Sequence, residues 1–145
     1  MSGKTLLPVI LLIENEETDV FLFRRVLAIS GFQGTVHVAS SVAIARDYFE
    51  GNGPYADRDQ YPFPDLIVSD MSLAGEVGND FLEWLRRQPE YLRIPFVFLS
   101  GTFIPQEFAR AGQLGVDQYV HKTGDLQELQ ERVELILKFL PRPSE

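Results

Sequence analysis

Four apolar runs punctuate the chain, and each ends in a residue with useful chemistry. Val9-Ile10-Leu11-Leu12-Ile13 leads into Glu14-Asn15, Leu66-Ile67-Val68-Ser69 into Asp70, Phe96-Val97-Phe98-Leu99 into Ser100, and Tyr119-Val120-His121 into Lys122. If runs of this kind are neighbouring parallel strands, all four ends open onto the same edge of one sheet. Thr35-Val36-His37-Val38-Ala39 reads as a further short strand. Between the runs the pattern changes to a helical period. Val20, Phe23 and Leu27 follow the acidic and capping residues Glu17-Thr18-Asp19, and Gly31 stops that segment. Ser40-Ser41 caps a helix with Ile44 and Tyr48 on one stripe and Ala45 and Phe49 beside it. After Asp70 comes a turn with Gly75 and Gly78, then a helix from about Asn79 to Arg87, ended by Pro89. A short helix follows near Pro105 to Leu114, and Gly115 to His121 supplies the last strand. Leu126, Leu129, Val133, Ile136 and Leu140 mark the final helix, with Asp125 and Glu128 as its N-cap and N3 partner. Strands and helices in alternation predict an α/β fold with a mainly parallel sheet. The connection from Gly51 to Pro64 exceeds the usual length of about 4–6 residues. It reads as a surface loop pinned by Tyr55, Tyr61 and Phe63.

Length and composition narrow the field. The 145 residues, 45% hydrophobic, suit one domain with a real core, taken as residues 8–140 between tails 1–7 and 141–145. A net charge of −8 argues against a nucleic-acid backbone or an anionic membrane as main partner. No apolar run approaches the roughly 20 residues of a membrane span, and the N-terminus lacks a signal-peptide pattern. The absence of cysteine excludes disulfides and thiolate metal sites. A cytoplasmic domain is the expectation.

In open α/β sheets, ligands bind outside the carboxyl ends of the strands, where the strand order reverses. Glu14, Asn15, Asp70, Ser100 and Lys122 all fall at such ends. Singly, each has an ordinary explanation: Asp70 begins a turn, Ser100 caps a helix, and Lys122 is a solvated cation. Together they bring a carboxylate, an acidic loop, a hydroxyl and an ammonium to one sheet edge.

The residues that carry this pattern are Ile10 to Asn15 with Asp19 downstream, Pro64 to Asp70, Gly78 eight residues beyond Asp70, Phe98 to Gly101, and Leu114 to Lys122. In this order and spacing the chain resembles the receiver domain of two-component response regulators, from about Pro8 to Leu140. The resemblance implies a doubly wound (βα)5 fold, a five-stranded parallel sheet of flavodoxin-like strand order 2-1-3-4-5. It also implies an aspartyl-phosphate switch. Asp70 would be the phosphoacceptor for a histidine kinase or histidine phosphotransfer protein. Ser100 and Lys122 would pair with phosphoryl oxygens. Mg²⁺ would be held by Glu14, Asn15, Asp70 and the backbone carbonyl of Ser72. Ser100 and Tyr119 would form the switch that reports phosphorylation. With no output domain in view, a downstream protein target is expected, and the resemblance implies a homodimer through the fourth helix, fifth strand and fifth helix.

Three positions depart from the family pattern. Asn15 replaces the second of two adjacent acids, so Glu14, Asp70 and Lys122 leave the empty pocket formally at −1, against −2 with the usual acid. Thr123 replaces a Pro that usually follows a cis bond; a cis bond before Thr costs about 2.5–4 kcal/mol, so a trans bond is expected. Ala74 replaces another common Pro. A pseudo-receiver, signalling by protein contact without phosphorylation, is therefore the alternative.

Other chemistries fit less well. Gly3-Lys4-Thr5 mimics the end of a P-loop but precedes its strand instead of following it. Glu14, Glu16, Glu17 and Asp19 would repel the phosphate of a flavin mononucleotide. A haloacid-dehalogenase-like phosphatase needs an acid where Ser72 stands, and Ser100 lacks a nucleophile elbow. His37 and His121 show no ligand spacing. Phe103 and Ile104 either form an apolar docking patch near Tyr119 or pack inward against Phe108.

Overall fold

A computed structural model describes residues 7–141; the Gly3-Lys4-Thr5 segment and most of both predicted tails lie outside them. The five parallel strands are β1 (Val9–Ile13), β2 (Thr35–Ala39), β3 (Leu66–Ser69), β6 (Phe96–Ser100) and β7 (Gln118–His121), with a two-residue antiparallel pair, β4 (Ser72–Leu73) and β5 (Glu76–Val77), following β3. Their order, β2-β1-β3-β6-β7, is the expected 2-1-3-4-5 when the parallel strands alone are counted. The helices are α1 (Glu17–Ile29), α2 (Val42–Glu50), α3 (Gly78–Arg86), α4 (Pro105–Gln113) and α5 (Leu126–Leu137). Among the described residues, no helix is long and apolar enough to cross a membrane.

The apolar runs of β1, β3 and β6 are explained by cover on both faces, whereas β7 at the sheet edge is partly exposed. Leu11, Ile13, Ile67, Phe96 and Phe98 face one side, against Tyr48 and Phe49 of α2, Phe81, Leu82 and Leu85 of α3, and Ala111 of α4. Ile10, Leu12, Leu66, Val68, Val97 and Leu99 face the other, against Phe23, Val26 and Leu27 of α1 and Leu129, Val133 and Ile136 of α5. Alternate residues of one strand thus feed two cores. Each large side chain taken out of water stabilises the fold by about 1.5–3 kcal/mol.

The strand starts are tied by carboxylates. Asp65 Oδ2 accepts the Val9 amide at 2.8 Å, and Asp117 Oδ2 accepts the Phe96 amide at 2.7 Å. The second tie corrects the predicted strand from Gly115: Gly115 turns with φ +81° after α4, Asp117 serves its neighbour, and pairing begins at Gln118. The turn after Asp70 also differs from expectation. Ala74 (φ 37°) and Gly75 (φ 88°) form the two-residue loop of the β4–β5 hairpin, while Gly78 opens α3. A Cβ at Gly78 would collide with the Asp70 carbonyl oxygen and the Phe98 ring. Glu76 Oε1 in this hairpin accepts the Val42 amide at 3.1 Å, capping α2 together with Ser41.

In the long connection, Tyr55 and Tyr61 pack against Tyr48, with ring centroids at 5.1 and 6.0 Å. Arg58 organises the segment. Its guanidinium donates to the carbonyls of Tyr48, Phe49 and Tyr61, and lies 4.1 Å from the Phe63 ring centre.

Candidate functional site

Parallel register delivers the site. Ile13 pairs with Ser69, so the next residues, Glu14 and Asp70, emerge side by side where the strand order reverses. The Asp70 amide donates to the Ile13 carbonyl at 3.0 Å, and the Lys122 amide to the Ser100 carbonyl at 2.8 Å. Those bonds hold the ends of β1, β3, β6 and β7 level.

Asp70 is 8% exposed and uses its two carboxylate oxygens differently. Ser100 Oγ donates to Oδ1 at 2.8 Å, with the Ser72 amide on the same oxygen at 3.3 Å. Lys122 Nζ donates to Oδ2 at 3.1 Å and to Glu14 Oε1 at 2.9 Å, and lies 3.3 Å from Asp19 Oδ2. The structure therefore brings Glu14, Asp70, Ser100 and Lys122 together, with Ser72 on the adjoining strand. Burial pushes the Glu14 carboxyl above its ordinary value; the Lys122 hydrogen bond and charge oppose this without cancelling it, and Asp70 adds to the rise. Burial alone would lower the Lys122 pKa, but the Glu14 hydrogen bond and the charges of Asp70, Glu14 and Asp19 outweigh it, so the net displacement is upward.

One residue of this cluster escaped the sequence reading as a site residue. Asp19 looked like an acidic residue at a helix start. In the structure Glu16 is the N-cap, without a side-chain capping bond, and Asp19 in the first turn of α1 faces Lys122. The available signal was its position, one helical turn inside an element that begins beside Glu14. Glu14, Asp19 and Asp70 each turn a carboxylate oxygen toward a shared point, within 4.8 Å of one another. Three hard oxygen donors suit a divalent cation such as Mg²⁺ or Mn²⁺. The Lys122 ammonium, in contact with all three carboxylates, shows that the donor set accepts positive charge. Asn15 is half-buried in the loop between β1 and α1 and carries no charge.

The expected switch residues lie next to the cluster. Tyr119 is half-buried; its hydroxyl donates to the Thr102 carbonyl at 2.8 Å, and its ring contacts Phe98, Phe103 and Phe108. Phe103 and Phe108 pack on each other with centroids at 5.2 Å but remain 58% and 46% exposed, while Ile104 is half-buried. Both sequence readings of this segment are thus partly realised. The loop after Lys122 is trans throughout. Thr123 Oγ1 donates to Glu128 Oε2 at 2.9 Å, and Glu128 donates its amide to Asp125 Oδ1 at 3.0 Å, so Thr123 joins the cap of α5.

Residues 10–134 match the family model of the response regulator receiver domain. The chain is 28% identical to the response regulator Rcp1 of Synechocystis over 131 residues, covering 90% of this chain and 87% of that protein. It is 30% identical to the phosphate regulon transcriptional regulatory protein PhoB of Rhizobium meliloti, spanning 92% of this chain but 53% of that protein. Among solved structures, the phosphorylated cyanobacterial phytochrome response regulator RcpA superimposes with a TM-score of 0.82 at 28% identity, covering 92% of this chain and 93% of the other. The Mn²⁺-bound form of Rcp1 gives 0.80 at 27% identity, covering 93% and 99%.

Proposed function

Because the chain belongs to the response regulator receiver family, we propose that it accepts a phosphoryl group on Asp70 from a histidine kinase or histidine phosphotransfer protein and signals by phosphorylation-dependent protein contact. The observation that carries this reading is the division of labour at Asp70, with Ser100 on one oxygen and Lys122 on the other. A carboxylate so flanked has two donors ready for the oxygens of an incoming phosphoryl group.

In the proposed step an Asp70 carboxylate oxygen attacks phosphorus. The P–N bond to the donor imidazole breaks, and its electron pair returns to the ring nitrogen. The product is an acyl phosphate. Lys122 and Ser100 then donate to phosphoryl oxygens. Glu14, Asn15, Asp70 and the Ser72 carbonyl would hold a divalent cation, which would supply charge neutralisation for the transferring group.

The phosphate adds about −1.5 to −2 charges beside Ser100. As Ser100 turns to the phosphate, Tyr119 gives up the Thr102 carbonyl and moves inward, changing the exposed surface at Phe103 and Phe108. That surface is the proposed contact for a downstream protein or a second copy of the chain, in the cytoplasm. Asn15 favours one second reading, the pseudo-receiver, because an amide contributes no charge to the cation.

Intact-mass measurement after incubation with a small phosphodonor, with and without Mg²⁺, decides between them. A gain of one phosphate that needs Mg²⁺ and is absent in Asp70→Asn is the expected result. No gain at high Mg²⁺, with the fold retained, overturns the phosphoacceptor reading in favour of the pseudo-receiver.

A further inference from the structure

The hairpin that follows Asp70 is too small to hold its own shape. Its strands have two residues each, joined through Ala74 and Gly75, and an isolated two-stranded hairpin is marginal in water. We propose that Glu76 is a positioning residue for the cation site: docked on the first amide of α2, it fixes the hairpin and with it the Ser72 carbonyl. The assignment deepens the cation site of the proposed phosphoacceptor reading and rests on that reading.

The register defines what the hairpin offers a cation. The Gly78 amide donates to the Met71 carbonyl at 2.7 Å, which places a ladder bond between those two residues. Antiparallel pairs alternate, so the next pair, Ser72 and Val77, is the non-hydrogen-bonded one. The Ser72 amide turns instead to Asp70 Oδ1, at 3.3 Å. The ladder makes no claim on the Ser72 carbonyl, so a cation can take it without breaking a strand bond.

The hairpin is fastened from three directions. Leu73 is buried in the core, the Gly78 amide closes the base, and Glu76 reaches across to α2. Glu76 lies directly opposite Leu73, one position along from the Ser72–Val77 pair. Its Oε1 accepts the Val42 amide at 3.1 Å. Thr102 Oγ1 also reaches Ser72 Oγ, at 3.3 Å, but it holds the side chain and not the main chain.

The far end of this tie is ready for a carboxylate. α2 has no acidic residue in its first turn, and its N-cap Ser41 satisfies the Ile44 amide. The Val42 amide and the positive end of the helix dipole fall to Glu76, an anion from another element. α2 is itself fixed by Ala45, Tyr48 and Phe49 in the core, so the anchor is rigid.

Two measurements separate positioning from helix capping: Mn²⁺ binding followed by electron paramagnetic resonance, and amide exchange at Leu73 and Gly78 in the metal-free protein. Both Glu76→Ala and Ser41→Ala remove a cap of α2, but only the first releases the hairpin. Glu76→Ala is expected to weaken Mn²⁺ binding about tenfold and to speed exchange at both amides. Glu76→Gln, which keeps an acceptor for the Val42 amide, recovers most of that loss, and Ser41→Ala leaves binding and exchange unchanged. Circular dichroism of each variant confirms the fold. Binding by Glu76→Ala within about twofold of wild type overturns the assignment. So does an equal loss in Ser41→Ala, which makes Glu76 a helix cap only, or the absence of recovery in Glu76→Gln. A wild type that takes up no Mn²⁺ overturns it together with the cation site. Intact-mass measurements keep the readings apart. Phosphate gain on Asp70 with Glu76→Ala binding unchanged rejects Glu76 alone; Glu76-dependent Mn²⁺ binding without phosphate gain rejects the phosphoacceptor reading alone.

Discussion

Replacing Lys122 by Met removes one positive charge from among Glu14, Asp19 and Asp70 while keeping most of the aliphatic stem. The side chains involved are 16% exposed for Lys122, 4% for Glu14, 31% for Asp19 and 11% for Asp70. Deleting one partner of a buried pair costs about 3–5 kcal/mol, because the other charge is left desolvated and unpaired. The partial exposure of Asp19 and Lys122 lets water screen part of this, so the expected loss at neutral pH is about 2–3 kcal/mol. The loss is also pH-dependent. Glu14 already stands above its ordinary carboxylate value through burial, and without the Lys122 hydrogen bond it rises further. A carboxyl raised in the folded state stabilises the fold below its unfolded pKa, and that contribution disappears as pH rises through the folded pKa. The deficit of Lys122→Met is therefore largest at neutral pH and shrinks as pH falls toward the ordinary value of 4.5. Urea denaturation followed by the fluorescence of Trp84, the single tryptophan, measures both effects. The midpoint should fall by about 1 M at neutral pH and by clearly less in acid. Equal midpoints for variant and wild type at neutral pH, or an unchanged deficit in acid, would refute the reasoning.

Other perturbations follow from the packing. Ala74→Pro cannot adopt φ 37° and should lower stability by more than about 1 kcal/mol, whereas Ala74→Gly, free of the left-handed penalty, should match or exceed wild type in the same urea titration. Arg58→Ala loses three charge-assisted bonds to carbonyls and the Phe63 stack; a cost of about 2–3 kcal/mol is expected, with faster amide exchange across residues 51–64. His37 lies 4.9 Å from Tyr61 and 5.9 Å from Tyr48, with Nε2 buried and unpartnered among the described residues. Burial lowers its pKa below 6.5, Gln60 opposes this through a backbone bond, and the Arg24 charge adds to the lowering. A depressed histidine contributes stability above its unfolded value and loses it as pH falls through the folded one, so urea midpoints should decline on the acid side of 6.5 in wild type and less in His37→Phe.

Strand order came only from the family resemblance, whereas the central strands were legible because Ile10 to Ile13, Leu66 to Ser69 and Phe96 to Ser100 are buried on both faces and so read as unbroken apolar runs. Glu14, Asp70, Ser100 and Lys122 were legible for the same reason, as the first useful groups past those runs. Asp19 was harder, since an acid near a helix start is commonplace and only the folded chain brings the first turn of α1 to Lys122. Arg58 left no periodic trace: its partners are backbone carbonyls, which carry no sequence signal. Ala74 gave no sign of its positive φ, because the hairpin strands it joins are two residues each and only Gly75 beside it marks a turn.

The carboxylate ties of Asp65 and Asp117 have a consequence for how this domain tolerates change. They fasten the amino ends of neighbouring strands, and all three departures from the family pattern, Asn15, Ala74 and Thr123, fall on connections at the opposite rim. With one rim stitched by side chains, the other can be re-cut loop by loop while strand pairing stays in step. Loop changes at that rim which leave the Lys122 ion pairs intact thus put strand pairing at less risk than changes at the rim the two carboxylates fasten.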